Sequence, residues 1–135
     1  MSQRTHEVVG DVMTADVKRI NAMATVREAI DEMAAAGISS LIVDRRDDND
    51  ELGLVVVSDI ARHVIADGHS TDRTNVYEVM SKPVLTLHAD MNIKYAVRLL
   101  VRVGFSRAVV VDDRRQPIGI VTLRDMVLRH GGDSA

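Results

Sequence analysis

The stretch VVGDVMTADV at residues 8–17 returns as NVYEVMSKPV at 75–84, with Met13 and Met80 in register 67 residues apart. The same spacing carries Val26, Ala29, Ile30 and Met33 onto Ile93, Ala96, Val97 and Leu100. Each set recurs at i, i+3, i+4 and i+7, one apolar stripe of an amphipathic helix. A chain that repeats itself at this distance has to be read as a duplicated unit before any local structure is assigned.

The punctuation repeats as well. Thr25 stands where an N-cap belongs, and Glu28 three residues later completes a capping box. Asn92 is the matching cap, and Gly37 and Gly104, again 67 apart, close the two helices. Short strands follow, SSLIVD (39–44) and SRAVVVDD (106–113), then polar turns, then GLVVV (53–57) and GIVTL (119–123). A second helix starts at Ser58-Asp59 or Arg124-Asp125, where the spacing has fallen to 66 because the first turn is one residue longer.

Each half therefore reads as lead-in, helix, strand, strand, helix. The expected fold is α+β: two βαββα repeats packed about a pseudo-two-fold axis. Repeat 1 is expected at 8–67 and repeat 2 at 76–130, joined by a linker at 68–75, with flexible ends at 1–7 and 131–135. At about 60 residues neither half would bury its sheet well alone, so the halves should pack together.

Composition narrows the function. Aromatic residues make up 2% of the chain and Trp is absent, so base-stacking platforms are scarce, and the formal charge of −3 gives no general attraction to nucleic acid. No apolar run reaches the roughly 18 residues of a spanning helix, and MSQRTHEVVGDVM has no signal-like apolar region. Zero Cys removes disulfide and thiolate chemistry. The expectation is a cytoplasmic chain without nucleic-acid or membrane partners.

Catalytic patterns are missing too. His6, His63, His69, His88 and His130 show no metal-binding spacing, and no G-x-S-x-G, G-x-x-x-x-G-K-[ST] or G-x-G-x-x-G occurs. DDNDE (47–51) lacks the glycine and alternating ligands of a calcium loop and reads as a charged turn. No metal and no catalytic residue is expected, and the chain is not read as an enzyme. Arg62, His63, Arg124, Arg129 and His130 read as solvated helix faces.

The chemistry concentrates in GLVVVSD (53–59) and GIVTLRD (119–125). Each strand delivers a carboxylate to a helix start, where unpaired N–H groups and the helix dipole favour anions. A carboxylate can accept from both hydroxyls of a ribose, and the Thr122 hydroxyl beside free N–H groups suits a phosphate. The same residues could equally serve only to cap the helix, a role worth about 1 kcal/mol.

The duplicated V-M-[ST] lead-in, the capped helix closed by Gly, the V-V-D strand end and the G-h-h-[TS]-x-x-D motif (h apolar), all in order and twice, resemble a tandem pair of cystathionine-β-synthase (CBS) domains, the Bateman module. The resemblance covers roughly residues 8–130. It implies a regulatory module without a required cofactor that binds AMP, ADP, ATP or a related adenosyl compound such as S-adenosylmethionine or NAD, and that forms a homodimer. It further implies one cleft joining Ile120, Thr122 and Asp125 to Met13, Lys18, Ile38, Ser39 and Ser40. A second would join Leu54 and Asp59 to Met80, Leu85, Phe105, Ser106 and Arg107, with Lys82 nearby. The apolar members would sandwich an adenine.

The halves depart from each other in one respect. Val56 stands where Thr122 stands, so the hydroxyl is missing from the first motif, while Arg107 adds a cation for phosphate to the second cleft. Val64, Ile65, Met126 and Val127 are the expected self-association surface. The other function class open to such a chain is a ligandless scaffold that regulates a partner protein by contact. The sequence does not name that partner.

Overall fold

The two long helices begin and end where their chemistry predicts. Thr25 accepts from the Glu28 N–H at 3.1 Å, and Glu28 accepts from the Thr25 N–H at 2.9 Å, closing the capping box. Asn92 accepts from the Lys94 N–H at 2.8 Å. Gly37 and Gly104 adopt the left-handed conformation, φ 66° and 77°, which stops each helix at little steric cost.

In the computed structural model, residues 8–130 are described, apart from the His130 side chain. The flexible ends expected at 1–7 and 131–135, together with His6, lie outside them. In chain order the elements are α1 (Val9–Val12), β1 (Arg19–Ile20), α2 (Val26–Ala36), β2 (Ser40–Val43), β3 (Gly53–Val56) and α3 (Val57–Ile60). They continue as β4 (Thr86–His88), α4 (Ile93–Val103), β5 (Arg107–Val111), β6 (Pro117–Thr122) and α5 (Leu123–Asp125). A single 3₁₀ turn, Val76–Glu78, precedes β4. Both α3 and α5 run on as π-helix, over Ala61–Ile65 and Met126–His130.

Two separate three-stranded sheets result, β1-β2-β3 and β4-β5-β6. In each, the first pair is parallel and the second antiparallel. This is a βαββα unit made twice, in a mixed α+β fold.

The chain divides into two compact units, and each takes its lead-in from the far repeat. One unit is residues 18–84; the described part of the other is 8–17 with 85–130. In the first, Val76 and Val79 are buried with α2, β2 and β3 around Met33, Leu41 and Val55. In the second, Val9 and Val12 are buried with Ile93, Leu100, Val110 and Val121. The compact units are a different division from the sequence repeats at 8–67 and 76–130, because each one-turn lead-in helix fills the core of the repeat it does not precede.

A methionine and a glycine make that exchange possible. Thr14 exchanges both backbone hydrogen bonds with Ile120, at 2.8 and 3.0 Å, and Ser81 does the same with Leu54, at 2.8 and 3.0 Å. Each bridge lays a lead-in along the outer edge of a sheet. A Cβ on Gly119 would overlap the Met13 sulfur and lie 3.0 Å from the Thr14 carbonyl oxygen. On Gly53 it would lie 2.9 Å from the Met80 sulfur and 3.3 Å from the Ser81 oxygen. The repeated Met and the repeated Gly are thus two halves of one contact.

The second helices correct one expectation. Val64 and Met126 are fully buried in their own units, whereas Ile65 and Val127 are exposed. Adjacent helical residues point about 100° apart, so Val64 and Met126 can face the core while Ile65 and Val127 face outward. Val64 and Met126 are therefore not part of any association surface.

Gly119→Ala should cost about 1–3 kcal/mol in urea unfolding, because the added methyl has to displace the seated lead-in. Gly53→Ala should cost less, since an added methyl would lie 2.9 Å from the Met80 sulfur rather than overlap it, and 3.3 Å from the backbone oxygen. Equal midpoints for wild type and Gly119→Ala would show that the close approach carries no energy.

Candidate functional site

Strand alternation fixes which residues share a face. In β6, Val121 points into the helix-packed core, so Ile120 and Thr122 point the opposite way, half-buried. The antiparallel register sets Arg107 opposite Thr122 and Val109 opposite Ile120. Arg107, Val109, Ile120 and Thr122 thus form one patch on the sheet face away from that core. The Leu123 N–H donates to the Ser106 carbonyl at 2.9 Å and pins the start of β5 to the strand-to-helix junction.

At the junction itself the helix-capping role is realised. Thr122 Oγ1 accepts from the Asp125 N–H at 3.0 Å, and Asp125 Oδ2 accepts from the Thr122 N–H at 3.3 Å. This box occupies one carboxylate oxygen of Asp125 and leaves the other outside it. Arg107 is a half-buried residue, and its guanidinium has no hydrogen bond or ion pair among the described residues.

The first repeat builds the same junction with fewer polar atoms. The Val57 N–H donates to the Ser39 carbonyl at 2.9 Å, as Leu123 does to Ser106. Val55 points into its core, so Val56 and Leu54 share the other face, and the register sets Ser40 opposite Val56 and Ile42 opposite Leu54. Val56 occupies the place of Thr122 but caps nothing. The half-buried Asp59 carboxylate has only Arg62, 4.0 Å away.

The expected site residues accordingly fall into two groups. Met13, Leu85, Phe105, Ser106, Arg107, Ile120, Thr122 and Asp125 lie in one unit. Lys18, Ile38, Ser39, Ser40, Leu54, Asp59, Met80 and Lys82 lie in the other. The resemblance set Arg107 with Asp59 and Ser40 with Thr122. Within each repeat, strand register sets Ser40 opposite Val56 and Arg107 opposite Thr122.

Lys82 has a different local task. Its ammonium lies 2.6 Å from Asp50 Oδ1, while Asp50 Oδ2 accepts from the Arg46 N–H at 2.9 Å and from Arg46 Nε at 3.2 Å. The Lys82 contact, reinforced by Arg46, holds the Asp50 carboxyl well below the usual carboxylate range. The acidic run thus serves as a clasp for the second lead-in, and no cluster of metal-ligand type occurs among the described residues. Sequence spacing did not reveal this pair, because Asp50 and Lys82 meet only when the lead-in crosses over. Arg129, read as a solvated side chain, likewise donates to the Val12 carbonyl at the end of α1, 3.1 Å away.

A family model described as CBS domain matches residues 9–66 and again residues 76–130. An uncharacterized protein of Methanopyrus kandleri is 33% identical over 119 residues, which cover 88% of this chain and 60% of that protein. Two further curated relatives, from Methanocaldococcus jannaschii and Thermofilum pendens, are matched over 38% and 44% of their lengths. Among solved structures, a hexameric CBS-CP12 protein from bloom-forming cyanobacteria superposes with a TM-score of 0.85 at 30% identity, covering 90% of this chain and 67% of that one. A CBS domain pair in complex with 5′-methylthioadenosine and S-adenosyl-L-methionine shares the fold, with a TM-score of 0.76 at 24% identity over 94% of this chain and 98% of that one.

A carboxyl held low in the folded state contributes stability that is complete above its unfolded pKa and is lost as pH falls toward the folded value. Asp50→Asn should therefore lower stability at pH 7, and the gap to wild type should narrow below about pH 4. Urea midpoints measured from pH 7 to pH 2 test this. A gap that stays constant throughout would mean that the Asp50 charge contributes nothing.

Proposed function

The chain belongs to the CBS-domain family as a tandem pair, and we propose that it is a regulatory module binding an adenosine-containing ligand at its strand-to-helix junctions. The observation that carries this reading is the patch around Thr122. Arg107, a half-buried residue whose guanidinium has no partner among the described residues, pairs in register with Thr122, next to a carboxylate with one oxygen outside the capping box. Leaving a partly desolvated cation without a partner is unfavourable unless a ligand supplies the anion. In this reading Asp125 accepts from the ribose hydroxyls, Arg107 meets the phosphate, and Ile120 lies against the base. AMP, ADP and ATP are the first ligands to test, followed by S-adenosylmethionine and NAD. The likeness in fold to a pair holding methylthioadenosine and S-adenosylmethionine supports the adenosyl class.

Signalling would follow by population shift, since a ligand that binds one arrangement of the chain better enriches that arrangement. In this reading the role is regulatory and acts on a separate protein in the cytoplasm. The first junction, with Val56 in place of Thr122, should bind more weakly than the second.

Self-association is a second part of the reading. Tyr95, Val101, Ile65, Val127 and Leu128 are all more than half exposed, an unusual load for so small a chain. Burying them between copies would remove that surface from water, and the fold likeness to a hexameric CBS-CP12 protein supports assembly. A homodimer is the simplest outcome, and sedimentation at micromolar concentration should show it.

A nucleotide at about 100 times its dissociation constant should raise stability by roughly 2.7 kcal/mol. Asp125→Ala should abolish that gain while costing only about 1 kcal/mol, the value of a lost cap. Arg107→Ala should weaken AMP by roughly tenfold and adenosine hardly at all, because it removes a charge-assisted contact to phosphate alone. Calorimetry on both variants separates the roles. If Asp125→Ala binds normally and only melts lower, the carboxylate is a cap and nothing more; if no adenosyl compound shifts wild type, the scaffold function takes its place.

A further inference from the structure

The long helices are equivalent by position and opposite in charge. On the exposed side of α4, Lys94, Arg98 and Arg102 follow one another at intervals of four residues, with no acid anywhere in the helix. Residues four apart lie along one stripe. Tyr95 and Val101, 59% and 65% exposed, flank that stripe, and the Arg98 guanidinium stacks 5.5 Å from the Tyr95 ring centroid. On the exposed side of α2, Arg27, Asp31 and Ala35 stand at the matching positions, with Glu28 and Glu32 beside them and Ala34 and Ala36 closing the helix. Its one cation, Arg27, is paired with Asp72 at 3.4 Å.

We infer that self-association brings the basic, aromatic face of α4 in one copy onto the acidic, alanine-lined face of α2 in a second copy. Two observations select this contact. Charge excludes the alternatives, since α4 on α4 would bring three cations against three, and α2 on α2 would bring acid against acid. Size agrees, since the bulky Tyr95, Val101 and Val103 meet a surface of alanines, which lets two helices approach closely. Every copy carries both faces, so the complementary surface needs no other protein.

The inference rests on the self-association proposed above, and the test separates the two. One variant reverses α4 (Arg98→Glu with Arg102→Glu), and the other reverses α2 (Asp31→Arg with Glu32→Arg). All four side chains are exposed, so both variants should fold, which circular dichroism checks. Sedimentation of either alone should show association weakened by roughly tenfold or more, because each now sets like charges together. Mixed in equal amounts the two should associate again, since the reversed α4 of one complements the reversed α2 of the other. Variants that associate as tightly as wild type, or a mixture that fails to recover, would overturn this contact and leave self-association standing. Wild type that is monomeric at micromolar concentration would overturn both.

Discussion

Each sheet ends in a strand whose outer edge would be open to water and to other chains, and the structure closes that edge with a lead-in from the far repeat. The contact is a methionine laid over a glycine, Met13 on Gly119 and Met80 on Gly53, with a backbone bridge beside each. The bridge satisfies edge N–H and C=O groups and so protects a strand that would otherwise recruit further strands. It also sets the entry point of β6 and β3, and hence where Thr122, Asp125, Val56 and Asp59 stand. The glycine matters for the absence of its side chain, since any Cβ would lift the strap from the sheet.

Much of this was legible in the residues. The long helices were marked at both ends by local chemistry: a hydroxyl or amide that accepts an N–H, and a glycine that turns left-handed. Both motif strands alternate as their pattern implies, with Val55 and Val121 in the cores and Val56 and Thr122 on the other face. Local rules reach only a few residues along the chain, however. The repeat spacing shows that two lead-ins are alike, but it is silent on which sheet each one joins. The Asp50–Lys82 clasp and the Arg129–Val12 contact were hidden for that reason. The π segments were hidden for another: a hydrogen bond from Ala66 back to Ala61 leaves the apolar pattern almost unchanged while it widens the turn. Val64 and Met126 were misplaced on the surface because adjacent apolar residues were read as one face.

Duplication has not kept the halves alike. Where the second repeat offers Thr122, Arg107 and a boxed Asp125, the first offers Val56, Ser40 and an Asp59 held only loosely by Arg62. The helices diverge similarly, one acidic and the other basic. Identical repeats would present two equal sites and two equal faces. Divergence leaves the two junctions and the two helix faces chemically distinct.

The exchange of lead-ins also bears on the order in which the molecule can be completed. Leu54 and Ser81 are close in sequence, and their unit is the continuous stretch 18–84, so it can close as soon as that stretch has left the ribosome. Thr14 must wait for Ile120, near the far end of the chain. Thr14 and Ile120 lie 106 positions apart (120 − 14), and such distant pairings are slow to form. The first lead-in thus docks later than the second, and until it does the edge of β6 stays open.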